Sequence, residues 1–260
     1  MDAVVLTFDH QAGLAELVHK SYRDLWPGCP LRFRIPVNDR RTNPSLAYLA
    51  ARPDVVLVDS PPDIRATMAA LLDGLDDDAW VYWCIDDRFP EAIPAPAALD
   101  ALGARLAAGE GGDASAVRLI HWHETLTGPP VELAGQTFRR QRYSGLFGFW
   151  HHQFARAGLL RRVFLSPELP GDYDIRTIQA LFHDLERERP GLAGALVPVR
   201  PLVRLGEPCC RGRLTLNGLD ALRRHGCPVP DYAVEAHRRV FEDMAVPVER
   251  TADPGEGPCD

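Results

Sequence analysis

Hydrophobic and polar positions along this chain follow two alternating periods. Val4–Phe8 is a short apolar run that stops at Asp9, and from Gly13 to Leu25 the residues Leu14, Leu17, Val18 and Leu25 fall at helical spacing. Leu31–Pro36 alternates weakly as a second strand. Asp54–Val58 is a clear third one, stopped by Asp59 and the breaker Ser60-Pro61-Pro62. Asp63 is placed to cap a helix over Ile64–Leu75, which Gly74 and the acids Asp76 to Asp78 end. Trp80 to Ile85 then shows no polar alternation and is rich in β-formers, as in a strand buried on both faces. Strand, helix, strand, helix, strand predicts a parallel sheet.

The later pattern is weaker. Ala97–Ala108 reads as an amphipathic helix, Ala116–Trp122 as a strand, and Gly128–Gln141 as a polar loop. Gly145–Trp150 is an aromatic-rich strand or turn leading into a helix from about His151 to Val163. Gly191–Leu205 suggests a late strand, and Leu219–Arg224 and Tyr232–Met244 suggest terminal helices. The second of these could pack on the core or on a second subunit, making a homodimer. The expected organisation is one α/β domain over residues 1–225, a helical extension over 226–250 and a frayed polar tail over 251–260.

Composition narrows the class. A chain of 260 residues, 46% hydrophobic, can bury a full core. Its net charge of -7 argues against a nucleic-acid surface, and nearly all its positive charge is arginine, with Lys20 the sole lysine. No run approaches the ~20 apolar residues of a membrane helix, and the N-terminus enters a strand directly, with no signal-peptide pattern. The six cysteines lack CxxC spacing, so a reduced, cytoplasmic protein is expected; the adjacent Cys209 and Cys210 read as ordinary buried or loop thiols rather than a redox pair.

The chemistry concentrates at one place. Asp86 and Asp87 follow the apolar run directly, and open α/β sheets bind ligands at the carboxyl ends of their strands. Adjacent acids there suit Mg²⁺ or Mn²⁺, which take hard oxygen ligands and are commonly shared between a carboxylate or two and substrate phosphates. A diphosphate-bearing substrate follows. Thr7 and Asp9 after the first strand and Asp59 after the next clear one mark the same edge, and Arg65 at the head of the following helix sits where a phosphate would be favoured. Ordinary surface roles compete at each of these four. His121 and His123 share a strand face, but zinc would need a third ligand that spacing does not identify; His123 or His152 reads better as a polar residue on the acceptor side or at a strand end. Arg139, Arg140 and Arg142 read as a solvated basic loop.

The opening strand Val4–Thr7, the helix Ile64–Leu75 before Trp80–Ile85, the pair Asp86-Asp87, Phe149-Trp150 before a helix ending Leu159-Leu160, and the segment Gly171-Asp172-Tyr173-Asp174-Ile175-Arg176 occur in an order that resembles nucleotide-sugar glycosyltransferases of the GT-A type. The resemblance is to small bacterial members and covers roughly residues 1 to 225. It implies a GT-A-like (Rossmann-like), mostly parallel sheet flanked by helices, a nucleoside-diphosphate sugar donor, a hydroxyl-bearing acceptor and Mg²⁺ or Mn²⁺. By the same analogy Asp87 is the direct metal ligand and Asp86 contacts the ribose, or the metal through water. Asp174, or Asp172 if the correspondence slips, would deprotonate the acceptor in an inverting displacement; the competing reading of Asp174 is an N-cap for a helix Ile175–Leu185. Ile-Asp-Asp stands where many members have Asp-x-Asp. A nucleotidyltransferase or natural-product tailoring enzyme on the same fold, and a catalytically silent binding or scaffold protein, are the alternatives.

Overall fold

The computed structural model describes residues 1–39, 43–120, 126, 128–142, 149–171, 173–174, 177–178, 180, 194–210, 212–235 and 237–241. The first half forms as the periodicity predicts: β1 (Asp2–Leu6), α1 (Ala12–Leu25), β2 (Arg32–Val37), α2 (Pro44–Ala50), β3 (Val55–Asp59), α3 (Ile64–Leu72) and β4 (Trp80–Ile85). Asp63 caps α3 by accepting the Ala66 N–H at 2.8 Å, and the chain leaves that helix at Asp73, ahead of Gly74 at φ +73°. The unpredicted α2 starts where Asn43 accepts the Ser45 N–H at 2.9 Å with Pro44 in the first turn.

The second half supplies β5 (Phe89–Ala92), α4 (Pro96–Ala107), β6 (Ala114–Arg118), β7 (Pro130–Leu133), β8 (Gln136–Arg142), β9 (Gln153–Arg156), α5 (Ala157–Phe164), β10 (Gly194–Pro198), β11 (Arg204–Gly206), β12 (Cys209–Cys210), β13 (Arg213–Leu214), α6 (Leu216–Arg224) and β14 (Val240–Phe241). Among the described residues nine strands make the central sheet, in the order β3-β2-β1-β4-β9-β6-β10-β8-β7. β1 to β4 are mutually parallel, and the pairings carry the same direction on to β6, β10 and β7, with β8 and β9 reversed. The expected mostly parallel sheet flanked by helices is therefore present.

Both faces of that sheet are covered. Ala3, Val5, Phe33, Ile35, Tyr82 and Cys84 pack under α1, α4 and α6, while Val4, Leu6, Val81, Trp83 and Ile85 pack under α3 and α5. Alternate β4 residues thus enter opposite cores, and all six are buried.

Four expectations fail. Gly128–Gln141 is largely a β-hairpin, turned by Ala134 and Gly135 at φ 54° and 71°; Leu133 and Phe138 are buried in the core, and Val131 and Ala134 pack against it. Arg139 and Arg140 thus belong to a strand, and Arg140 pairs with Asp113. The helix expected from His151 begins only at Ala157, because Gln153–Arg156 fills the slot between β4 and β6 as a strand, its Phe154 ring 5.0 Å from that of Tyr82. Ala116–Trp122 ends early as a strand, at Arg118. The described residues from Tyr232 to Phe241 are not helical: Val234 bridges to Leu214 and β14 pairs with β11. No helix among the described residues is long and apolar enough to cross a membrane.

The sole lysine ties α1 to the end of α6. Lys20 Nζ lies 2.6 Å from Glu16 Oε1 and donates to the carbonyl of His225 at 2.8 Å, just past α6. Glu16 is buried, and its Oε2 has no hydrogen-bond partner. Removing the cation from a buried pair is far more damaging than removing both charges. Lys20→Met is therefore expected to lose about 3 kcal/mol of stability in urea denaturation, most of it recovered by adding Glu16→Leu. An unchanged midpoint in the single variant would contradict this.

Candidate active site

The parallel strands bring their carboxyl ends to one edge, and Thr7, Asp86 and Asp87 meet there. β4 leaves the core at Ile85, whose carbonyl accepts the Arg88 N–H at 3.3 Å, so that Asp86 and Asp87 occupy the two central positions of a turn. The Asp86 N–H donates to the Leu6 carbonyl at 3.3 Å, and Thr7 Oγ1 donates to Asp86 Oδ2 at 2.6 Å. Thr7 and Asp86 are both buried.

Asp87 is the more open acid, with 34% of its side chain exposed. Its Oδ1 lies 3.4 Å from Arg88 Nη1 and has no hydrogen-bond partner. Arg88 turns the other way as well, donating to Glu207 Oε1 at 3.0 Å. Glu207 in turn lies 3.8 Å from Arg239 Nε, so residues far along the chain reach back to the acid pair. β5 follows the turn at once and joins β11 and β14 in a small sheet beside it. Asn217 secures this region, donating to Glu91 Oε1 at 2.7 Å and to the Arg239 carbonyl at 2.8 Å.

The electrostatics follow from burial. Loss of solvent pushes the Asp86 carboxyl up to about 8; the Thr7 hydrogen bond opposes this and the neighbouring Asp87 adds to it. Asp87 is also raised, by burial first, with Arg88 pulling it back. Glu207 is raised for the same leading reason, again opposed by Arg88. Cys209 is pushed up to about 11, chiefly by burial, and is therefore a poor nucleophile at neutral pH.

The structure brings Thr7, Asp86 and Asp87 together and spreads the other candidates along the edge. Asp9 accepts from the Asn38 N–H at 2.9 Å and also from the Asp39 N–H, tying the ends of β1 and β2. Asp59 is exposed at the end of the outermost strand, three strand spacings or roughly 14 Å from β4. Arg65 is engaged by protein: it donates to the carbonyls of Ser166, Leu169 and Pro170 and stacks 5.2 Å from the Tyr173 ring. Asp174, exposed, accepts from Thr177 through N–H at 2.9 Å and Oγ1 at 2.8 Å, which is a capping arrangement. Asp172, His121 and His123 lie outside the described residues. Glu207 and Arg239 carry no sequence signal, because nothing local in Gly206-Glu207-Pro208 or in the arginine-rich Arg238-Arg239 marks contact with a residue more than a hundred positions away.

Among the described residues no group of three or more His, Cys, Asp or Glu side chains could hold a metal ion alone. Two carboxylates with an unfilled acceptor oxygen do suit a hard cation that takes its remaining ligands from a phosphate-bearing substrate.

No protein-family model and no curated protein sequence matches the chain. Solved structures match it at low sequence identity. An active-site mutant of LgtC matches with a TM-score of 0.45 and 15% identity over 89% of this chain and 98% of that one. The galactosyltransferase LgtC with donor and acceptor sugar analogs matches at 0.40 and 14%, over 100% and 91%. S. aureus TarS matches at 0.45 and 11%, over 78% and 59%. What the site can do follows from its own side chains.

The raised Asp86 carboxyl has a consequence for stability. The folded state holds this proton up to about pH 8, whereas the unfolded chain releases it near 3.8, so the group's contribution falls as pH rises between those values, by at most about 1.4 kcal/mol per unit. In urea denaturation without metal, Asp86→Asn should gain on the wild type steadily from pH 5 to pH 8. Parallel pH profiles would contradict the burial of this acid.

Proposed function

We propose that this protein transfers a sugar from a nucleoside-diphosphate donor to a hydroxyl-bearing acceptor, with Mg²⁺ or Mn²⁺ held at the Asp86-Asp87 turn. The observation that supports it most is the turn itself: two adjacent carboxylates at the carboxyl end of a strand buried on both faces, one fastened by Thr7 and the other with an oxygen lacking a hydrogen-bond partner. Asp87 would be the direct ligand and Asp86 the deeper one, facing the ribose or the hydrated cation. When bound, the cation would supply neutralising charge for the leaving diphosphate.

The chain's own groups divide the remaining work. Thr7 fixes the Asp86 carboxylate, and Arg88 and Glu207 hold the outer side of the turn. Asp9 and Asp59 extend the same edge toward the nucleoside. Arg65 acts through the loop it fastens, Ser166 to Pro170, which leads to Asp174. In this reading Asp174 is the acceptor-side base, and Asp172 its substitute.

One observation favours a second reading. Arg88 already places a cation 3.4 Å from Asp87, as it would in a binding protein that kept the sheet and lost the metal. Calorimetric titration with UDP and with GDP, each with and without Mn²⁺, separates the two. The transferase reading predicts nucleotide affinity that depends on Mn²⁺ and falls at least tenfold, about 1.4 kcal/mol, in Asp87→Asn. Absence of binding under every condition would overturn it.

A further inference from the structure

A buried polar chain runs beneath the acid pair. Four aromatic side chains meet there: the Tyr22 ring is centred 5.5 Å from that of Tyr82 and 5.6 Å from that of His152, and Phe154 closes the other side of Tyr82 at 5.0 Å. Tyr22, Tyr82 and His152 are all fully buried. Buried polar atoms in such a setting are expected to be paired, and here the pairing also fixes the direction of every donor.

His152 Nε2 lies 3.0 Å from the Ile85 carbonyl, which can only accept, so Nε2 carries the proton. Burial keeps the imidazole neutral by lowering its pKa to about 4, and Nδ1 is therefore an acceptor. It accepts a hydrogen bond from the Tyr22 hydroxyl at 2.6 Å, and the Tyr22 oxygen in turn accepts from the Tyr82 hydroxyl at 2.7 Å. The order is Tyr82 to Tyr22 to His152 to the Ile85 carbonyl.

That carbonyl is the one that closes the Asp86-Asp87 turn by accepting the Arg88 N–H. It is thus held from two sides, by the turn and by the histidine, and its peptide links the last core residue of β4 to the first acid. Thr7 and the Leu6 carbonyl secure Asp86 from β1, whereas His152 secures the backbone from below, across the junction with β9. We infer that His152 is a positioning residue, which sets the orientation of the Ile85–Asp86 peptide and through it the aim of both carboxylates. This rests on the reading of that pair as the cation and diphosphate site. A group that orients a ligand-bearing residue typically governs affinity by 10- to 100-fold.

Two measurements test it. In the wild type without any ligand, long-range ¹H–¹⁵N correlation of the histidine rings at pH 7 should show His152 protonated at Nε2 and bare at Nδ1. The opposite tautomer, or a charged ring, would overturn the inference whatever the protein's function. For binding, Mn²⁺ and UDP are titrated into wild type, His152→Phe and His152→Gln. The phenyl ring fills the space without a donor, while the glutamine amide reaches the Nε2 position. His152→Phe should weaken Mn²⁺-dependent UDP binding roughly tenfold or more, and His152→Gln should stay within about threefold of wild type. Equal losses in the two variants, or none in His152→Phe, would overturn the positioning role while leaving the site reading intact. Absence of Mn²⁺-dependent binding in the wild type would overturn the site reading and, with it, this role. Should His152→Phe fail to fold, His152→Leu takes its place as a side chain without a donor: it should show the same loss of Mn²⁺-dependent UDP binding, and binding within about threefold of wild type would overturn the positioning role.

Discussion

The hydrogen bond from Thr7 to Asp86 joins the two strands on which the site depends. β1 and β4 lie side by side at the inner end of the parallel run β3-β2-β1-β4, and each ends at the same edge. Because β4 is buried on both faces, its last apolar residue and its first acid are separated by one peptide, and Asp86 enters the turn before the chain has reached water. A carboxylate in that position is stable only with help. Thr7 supplies part of it, and the rest comes from a retained proton or, in its place, would come from a bound cation. The same desolvation that penalises the free charge strengthens its attraction for a divalent ion.

The C-terminal part of the chain completes this edge rather than forming a separate layer. β11 and β14 build the small sheet that begins with β5, and Glu207 and Arg239 link it to Arg88. Asn217, buried on α6, holds Glu91 and the Arg239 backbone together. The turn is thereby enclosed by elements more than a hundred residues apart in sequence. Its geometry should be lost with the global fold rather than by local fraying.

Much of this was legible in the residues themselves. Trp80 to Ile85 announces a buried strand because a parallel strand covered by helices has no polar face to show, and Asp86-Asp87 announces its ligand end. Asp63 was legible because capping is a local hydrogen bond three residues long. Where tertiary contacts decide, local pattern misleads. Gln153–Arg156 looks like the start of a helix and becomes a strand because the gap between β4 and β6 must be filled; Tyr232–Met244 looks amphipathic, and its described part is extended because β11 offers an unpaired edge. Arg65 stands at a helix head, as a phosphate ligand would, yet three carbonyls of a distant loop engage it. His152 could be read as a strand-end polar residue, but its link to Tyr22 joins positions 130 residues apart and has no local signature.

On the proposed function, the Asp86-Asp87 turn and a nucleoside diphosphate share one cation. Pulsed electron paramagnetic resonance of Mn²⁺ bound to the protein with UDP, using aspartate labelled with ¹³C at the side-chain carboxyl, addresses this directly. Hyperfine coupling from diphosphate phosphorus and from aspartate carboxyl carbon is expected in the same complex, the carbon coupling being lost in Asp87→Asn. Phosphorus coupling without any carbon coupling would mean that the nucleotide carries its own ion, and would rule out a shared cation.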